Sequence, residues 1–170
     1  MSNSTPKALD PHSKPHISLQ RCPDLVLISD TPKGRGVFAT SRIPKKAVLD
    51  VCPVLVLGLE ENARHIEKTT LYHYTYNWPV TDQHNFKHVA QALIFGLGSM
   101  FNHSLQDQNV VWERDTEKLV ITYRAARDIE PGEELCISYG NHLTFEDTDA
   151  LPDEVEEEDG TDHLSHIQID

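Results

Sequence analysis

Cysteine is scarce in this sequence. The three cysteines, Cys22, Cys52 and Cys136, lie far apart, and no pair has the Cys-x-x-Cys spacing of a zinc site. An odd number of widely spaced thiols also gives no disulfide framework. We therefore expect reduced thiols and no zinc bound by cysteine.

Long apolar runs are absent as well. No stretch approaches the roughly 20 apolar residues that a membrane-spanning helix needs. Residues 1–5 are polar and lack the apolar core of a secretory signal. We expect a protein of the nucleus, or alternatively of the cytoplasm, that does not contact a membrane.

Positive charge is in short supply: Lys and Arg total 15, Asp and Glu total 27, and the formal net charge is −12. Residues 146–170 hold eleven of the acidic residues and no Lys or Arg, so the rest of the chain is nearly neutral. This balance argues against direct binding to a nucleic-acid backbone and suits a basic protein partner. The acidic tail either steers such a partner or only solubilises the chain, and the second interpretation is the commoner one.

The length and the composition along the chain predict one domain with two disordered ends. Residues 1–20 contain three prolines and few apolar residues, so we expect disorder there. Residues 21–146 form the predicted domain. Residues 147–170 form the acidic tail, which we also expect to be disordered.

Short apolar segments between Gly and Pro turns predict a mainly β fold. Pro53 divides two of them, 47–51 and 54–57, into separate β segments. Residues 60–70 predict one short helix, and residues 80–88 a polar loop. Residues 89–98 suit either a strand or a short buried helix. The remaining predicted strands are 25–28, 37–39, a hairpin of 109–112 with 119–123, and a last strand at 134–139.

Aromatic residues alternate with polar ones from residue 72 to residue 78. In a strand Tyr72, Tyr74, Tyr76 and Trp78 would all share one face. Such a face is as often plain core packing as part of a binding site.

Two segments lack the apolar period of a core, and a third segment, nearer the N-terminus, contains a Gly-x-Gly. Residues 98–104 read Gly-Ser-Met-Phe-Asn-His-Ser, residues 132–140 read Gly-Glu-Glu-Leu-Cys-Ile-Ser-Tyr-Gly, and residues 33–38 read Lys-Gly-Arg-Gly-Val-Phe. Asn and Ser side chains both donate and accept hydrogen bonds. Two glycines in a turn let main-chain groups approach a ligand. The third glycine of a dinucleotide-binding motif is missing.

Together, and in this order, the three segments resemble the signature of the SET-domain protein lysine methyltransferases, over about residues 24–146. The resemblance is to the short, stand-alone members, such as small fungal and viral histone H3 methyltransferases. It implies a β-clip fold in which the C-terminal segment threads under an earlier loop as a pseudoknot, an exception to the rule against threaded chains. The family often reads Asn-His-Ser-Cys-x-Pro-Asn, whereas here residues 105–108 replace the Cys-x-Pro portion before Asn109.

The resemblance also implies roles for individual residues. Tyr139 is the catalytic tyrosine, and Ile137, two residues earlier, shares its strand face. Tyr74 and Tyr76 are candidates for the other walls of a substrate-lysine channel. With the zinc-bound cap of larger members missing, Phe145 or Trp112 would cover the adenine. The residues implied for S-adenosylmethionine are Lys33, Gly34, Arg35, Gly36, Asn102, His103 and Tyr139.

A catalytic triad and a metal site are two alternatives that the sequence does not favour. Ser104 directly follows His103, but neighbours in sequence do not make a catalytic triad. His84 and His88 have no acidic third ligand nearby, so we expect no metal.

The sequence therefore predicts an S-adenosylmethionine-dependent protein-lysine N-methyltransferase, acting on a histone H3 lysine. Its partner would be a lysine-containing basic protein, a histone tail above all, and a homodimer is expected. One alternative is a methyltransferase of a non-histone protein. The other is a catalytically silent SET-fold module that binds a partner.

Overall fold

A computed structural model describes residues 16–139 of the chain. The predicted disordered segment therefore falls largely, and the acidic tail entirely, outside the described residues. The strands are β1 Leu25–Thr31, β2 Gly34–Ala39, β3 Val48–Val56, β4 Thr75–Thr81, β5 Lys87–Ile94, β6 Asn102–His103, β7 Val110–Asp115, β8 Val120–Ala125 and β9 Cys136–Ile137. One helix, α1 Leu59–Glu61, continues into a π-helical turn, Asn62–Ile66, and two 3-10 turns cover Thr70–Tyr74 and Gly98–Met100.

The strands form three sheets within residues 16–139. Five strands make an antiparallel sheet in the order β4-β5-β3-β8-β7, β1 pairs with β2 as a hairpin, and β6 pairs with β9 in parallel. The predicted mainly β fold with one short helix is confirmed. The hairpin predicted at 109–112 and 119–123 is β7–β8.

The predicted helix at 60–70 is present but ends earlier, at Ile66. The amide of Glu67 bonds the carbonyl of Asn62, five residues back, at 3.1 Å. The side chain of Asn62 also donates to Glu67 Oε1 at 2.7 Å. This wider turn satisfies the helix terminus locally, so the helix does not extend to Thr70.

The division of a β segment at Pro53 was wrong, because β3 runs through it as one strand. Before Pro53, β3 pairs with β8, and from Val54 onward it also pairs with β5. The amide of Val54 donates to Leu119 on the β8 side, so the nitrogen of Pro53 faces the other side. The ladder with β5 begins at Pro53 through its carbonyl, which accepts from the amide of Phe95 at 2.9 Å, so the strand continues although proline lacks an N–H.

The shared face predicted for the aromatic residues holds only in part. Tyr72 and Tyr74 belong to the 3-10 turn, and only Tyr76 and Trp78 lie on β4. The hydroxyl and the amide of Thr75 both bond the carbonyl of Tyr72, which closes the turn just before the strand. A 3-10 turn has a period of three residues, so it breaks the alternation.

The two segments after β4 also differ from their predictions. The polar loop is shorter than residues 80–88, because β4 and β5 extend into it and leave only 82–86 as the turn. The segment 89–98, which was open between strand and helix, is strand β5 as far as Ile94.

The C-terminal segment lies between two earlier parts of the chain. On one side Leu135 donates to Val37 of β2 at 2.7 Å, and on the other Ser104 donates to Ile137 at 3.1 Å. The last strand, β9, is only two residues long, which is shorter than the predicted 134–139. Hydrogen bonds to β2 on one side and to the 102–109 loop on the other agree with the threading that the resemblance implies.

The large sheet is curled so that its two edge strands approach each other. Tyr76 of β4 meets Trp112 of β7 edge to face, with 6.2 Å between ring centroids. Trp78 and Phe101 are almost fully buried in the core beneath. Within residues 16–139 no helix has the length and apolar character needed to cross a bilayer.

Candidate functional site

The side-chain amide of Asn102 joins the segment from Gly34 to Gly36, called here the glycine turn, to the Gly-Glu-Glu-Leu motif at residues 132–135. Its Nδ2 donates to the carbonyl of Arg35 at 2.9 Å and to Glu134 Oε1 at 2.7 Å. A Cβ at Gly36 would overlap the Glu134 carboxylate and crowd Asn102 Nδ2, so only glycine permits this approach. The turn between β1 and β2 ends at Gly34, the first residue of β2, whose φ of +86° is in the left-handed region.

His103 extends this cluster in two directions. Its carbonyl accepts a hydrogen bond from Lys33 Nζ at 3.3 Å. Its buried ring accepts one at Nδ1 from the backbone amide of Tyr139 at 3.0 Å. All the residues predicted to bind the cofactor therefore lie around one short pair of strands, β6 and β9.

The phenol of Tyr139 points back to the Asn-His-Ser corner. Its hydroxyl donates to the carbonyl of Phe101 at 2.6 Å, and its ring lies 5.3 Å from that of His103. The residue is 40% exposed, but its hydroxyl end is turned inward. Burial is the largest cause that raises the pKa of Tyr139 to about 12. At neutral pH the phenol is therefore a protonated hydrogen-bond donor.

A cavity of about 460 Å³ adjoins this phenol. It brings together all four residues predicted for the substrate channel and catalysis: Tyr74, Tyr76, Ile137 and Tyr139. None of the lining residues that the structure describes is acidic. The other lining residues are Tyr72, His73, Thr75, Asn77, Gln91, Ser99, Trp112, Arg114 and Ser138.

Two tyrosines of this cavity are fixed by hydrogen bonds. The hydroxyl of Tyr76 donates to the carbonyl of Gly98 at 2.7 Å, and burial raises its pKa. The hydroxyl of Tyr74 accepts a hydrogen bond from Arg35 Nη2 at 3.0 Å. Since Arg35 stands between the two glycines, its side chain connects the predicted cofactor turn to the cavity wall.

A smaller cavity of about 240 Å³ lies on the opposite face of β9. Glu134 and Cys136 line it, whereas Ile137 and Tyr139 line the larger one, and successive strand residues point to opposite sides. The smaller cavity is charged and polar, with Lys33, Ser104, Asp107, Asn109, Arg127 and Glu133 completing its lining.

Sequence reasoning missed two residues that organise the site. Glu134 accepts the Asn102 amide, and it lies inside the Gly-Glu-Glu-Leu motif that was noted for other reasons. Asn109 is buried, and its side chain donates to the carbonyl of Glu134 at 2.7 Å and accepts from the amide of Cys136 at 2.9 Å. Its position at the end of the Asn-His-Ser pattern was the available signal.

Of the two residues suggested as an adenine cover, the structure describes only Trp112. Trp112 packs on Tyr76 beside the larger cavity. Phe145 falls outside the described residues. In the part of the chain that is described, no group of three or more His, Cys, Asp or Glu is arranged to hold a metal ion.

Known proteins resemble this chain in sequence and in fold. Residues 34–140 match the SET domain family. A histone-lysine N-methyltransferase of Schizosaccharomyces pombe, specific for H3 lysine-37, is 46% identical over 121 residues, which are 71% of this chain and 76% of that protein.

Two solved structures share the fold. A candidate histone methyltransferase of Plasmodium falciparum has a TM-score of 0.51 at 24% identity, and the match covers 72% of this chain and 96% of that one. The methyltransferase domain of the human histone-lysine N-methyltransferase SETMAR has a TM-score of 0.51 at 25% identity, with 66% of this chain and 43% of that one covered.

Proposed function

The chain belongs to the SET domain family and is a protein-lysine N-methyltransferase, and we propose that it transfers methyl groups from S-adenosylmethionine to a lysine of histone H3. The H3 specificity of the fission-yeast relative supports this substrate. The observation on which the proposal rests is the larger cavity, where Tyr74, Tyr76, Ile137 and Tyr139 surround one space that has no acidic residue of 16–139 in its lining.

The polar face of β6 and β9 fits the proposed cofactor. S-adenosylmethionine supplies a methyl group whose bond to sulfur breaks as a bond to the lysine nitrogen forms, and the amine proton passes to solvent. Its amino-acid end is zwitterionic. Lys33 offers a cation and Glu134 a carboxylate for the two charges, and Asn102 lies between Glu134 and the glycine turn. We propose that these residues, with Gly34, Arg35, Gly36 and His103, hold it.

The larger cavity suits a neutral lysine amine. A free lysine has a pKa of about 10.4, so presenting its neutral form near pH 7.4 costs roughly 4 kcal/mol. Desolvation in a cavity without a carboxylate lowers the pKa of the amine, because no partner stabilises the ammonium form. The aromatic rings accommodate the aliphatic stem of the lysine.

Tyr139 would orient the amine at the end of this cavity. Its phenol is held at Phe101 and remains protonated at neutral pH. The rings of Tyr74, Tyr76 and Tyr139 are held in place by hydrogen bonds of their hydroxyl groups. Fixed rings would align the lysine amine for an in-line displacement, and alignment supplies much of the rate of such a reaction. The phenol is therefore proposed as the catalytic group, and Tyr74, Tyr76 and Ile137 as the channel walls.

Two further properties concern the location and the assembly of the protein. A histone methyltransferase acts in the nucleus, and we propose that location. The homodimer stays a prediction, tested by the mass of the full chain in solution.

Methyl transfer to defined substrates tests the proposed function. The full chain would be incubated with labelled S-adenosylmethionine and either recombinant nucleosomes, whole-cell extract, or a histone H3 peptide that spans lysine 37, called here the H3 peptide. Mass spectrometry should place methyl groups on H3 in the nucleosome and on the H3 peptide. Label only on non-histone proteins would overturn the substrate, and absence of both label and cofactor binding by calorimetry would favour a silent module.

A further inference from the structure

One cationic side chain in the larger cavity has no role in the proposed function so far. Arg114 lies on β7, two residues after Trp112 and on the same face of the strand. Its guanidinium carbon is 4.9 Å from the ring centre of Trp112 and 5.4 Å from that of Trp78 on β4. Contact with two indole rings fixes a planar guanidinium through cation–π attraction.

The guanidinium of Arg114 makes no hydrogen bond or ion pair within residues 16–139. Other arginines of the site have such partners: Arg35 donates to Tyr74, and Arg127 pairs with Glu133 at 2.6 Å. Arginine carries five N–H donors. Partial burial lowers the pKa of Arg114.

Within residues 16–139 the walls of the cavity do not supply the missing acceptor as a carboxylate, since none of these lining residues is acidic. A molecule that enters the cavity with an oxygen acceptor would therefore meet unused donors. The fixed edge of a guanidinium matches carbonyl and carboxylate oxygens, and a hydrogen bond to a charged group is stronger than one between neutral groups.

We propose that Arg114 binds an oxygen acceptor of the substrate chain close to the target lysine. This inference rests on the proposed function and adds a specificity-determining contact to it. The oxygen comes from a main-chain carbonyl or from an acidic side chain, and the two sources are separated by the test. Arg114 also helps to bring the sheet edges together, so the test needs a readout that a purely structural role would not change.

Three variants of the full chain provide that readout. Arg114→Met removes the donors and keeps an unbranched side chain, and Arg114→Lys keeps the charge without the planar fork. The control is Arg64→Met, which removes a cation that is exposed and paired with Glu60 on the helical segment. Steady-state kinetics, calorimetric binding of the H3 peptide and of S-adenosylmethionine, and thermal unfolding would be measured for each.

Arg114→Met should raise the KM for the H3 peptide about tenfold and weaken peptide binding equally, the size of one hydrogen bond to a charged group. Its kcat and cofactor binding should change less than about twofold, since a contact made equally in ground and transition state affects KM alone. Arg114→Lys should recover part of the loss, and Arg64→Met should match the wild type.

Modified peptides identify the acceptor. In one series each amide carbonyl within three residues of the target lysine is replaced by methylene, and in the other each side chain there is replaced by Glu. A methylene that weakens binding to the wild type but not to Arg114→Met identifies a main-chain carbonyl. A Glu that strengthens binding to the wild type alone identifies a carboxylate.

Two results would overturn the inference. One is an unchanged KM and peptide affinity in Arg114→Met. The other is that every peptide modification changes binding equally in the wild type and in Arg114→Met. This outcome would include the case in which Arg114→Met only lowers the unfolding temperature. The proposed function fails in a different way: the wild type would then leave the H3 peptide unmethylated, while its calorimetric affinity for the peptide still tests Arg114.

Discussion

The two faces of the short pair β6 and β9 differ in chemistry although only one backbone layer separates them. The face with the smaller cavity is polar and charged, with Lys33 and Glu134 in its lining. The face with the larger cavity is aromatic, and its lining within residues 16–139 has no carboxylate. The proposed function assigns the zwitterionic donor to the polar face and the neutral amine to the aromatic face.

The largest effect should come from Tyr139→Phe, which removes the hydroxyl at the end of the aromatic face. We expect turnover of the H3 peptide to fall at least about 100-fold, similar to losing one preorganised donor at a reacting centre. Cofactor binding by calorimetry should be retained, because the polar face is intact. Tyr72→Phe is the matched control in the same cavity. Equal turnover in Tyr139→Phe and wild type would remove Tyr139 from the chemistry.

A change confined to the polar face should weaken cofactor binding and leave peptide binding nearly unchanged. A Cβ introduced by Gly36→Ala meets the Glu134 carboxylate and the Asn102 amide. We expect cofactor binding to weaken about tenfold, since displacing two hydrogen-bonded partners costs at least 1–2 kcal/mol. Peptide binding should change little. Gly58→Ala is the control, because a Cβ there meets only ordinary contacts. Equal loss of peptide and cofactor binding would contradict independent faces.

The link between the faces should have a smaller effect. Arg35 donates to Tyr74 across the boundary, and its carbonyl holds Asn102. Arg35→Met and Tyr74→Phe should each raise the KM for the H3 peptide about threefold, and the double variant should be no worse than either single one. Cofactor affinity should persist in both, because the backbone contact remains. Fully additive losses would show that the pair does not act as a unit.

The smallest effect concerns the acidic tail. The aromatic face has no carboxylate of residues 16–139 in its lining that would attract a basic substrate. Deleting residues 146–170, which hold eleven acidic residues, should slow methylation of the H3 peptide a few-fold at low salt and not at high salt. Rates that match the full chain at every salt concentration would leave the tail a solubilising role only.

The sequence predicted the parts of this site that are held in short, contiguous motifs. The turn at Gly34, the corner at Asn102 and the strand before Tyr139 each have a composition that differs from a core, and the structure brings all three together. The fold class followed from the strand-forming segments between Gly and Pro turns.

Features that depend on distant partners could not be predicted in the same way. The continuity of β3 depends on a change of neighbour at Pro53, and alternation alone does not reveal the 3-10 turn that contains Tyr74. The place of Arg114 depends on the curl that brings β7 against Trp78 of β4. Such contacts join residues that no local pattern connects, so only the folded chain displays them.

The proposal that cofactor and lysine bind on opposite faces of β6 and β9 is tested most directly by a structure of the full chain with S-adenosylhomocysteine and the H3 peptide. The account predicts that the target lysine enters the larger cavity with its nitrogen beside the hydroxyl of Tyr139. The cofactor product should lie against Asn102 and the turn at Gly36, on the other side of β9. A lysine outside that cavity, or a cofactor that does not touch the glycine turn, would contradict it.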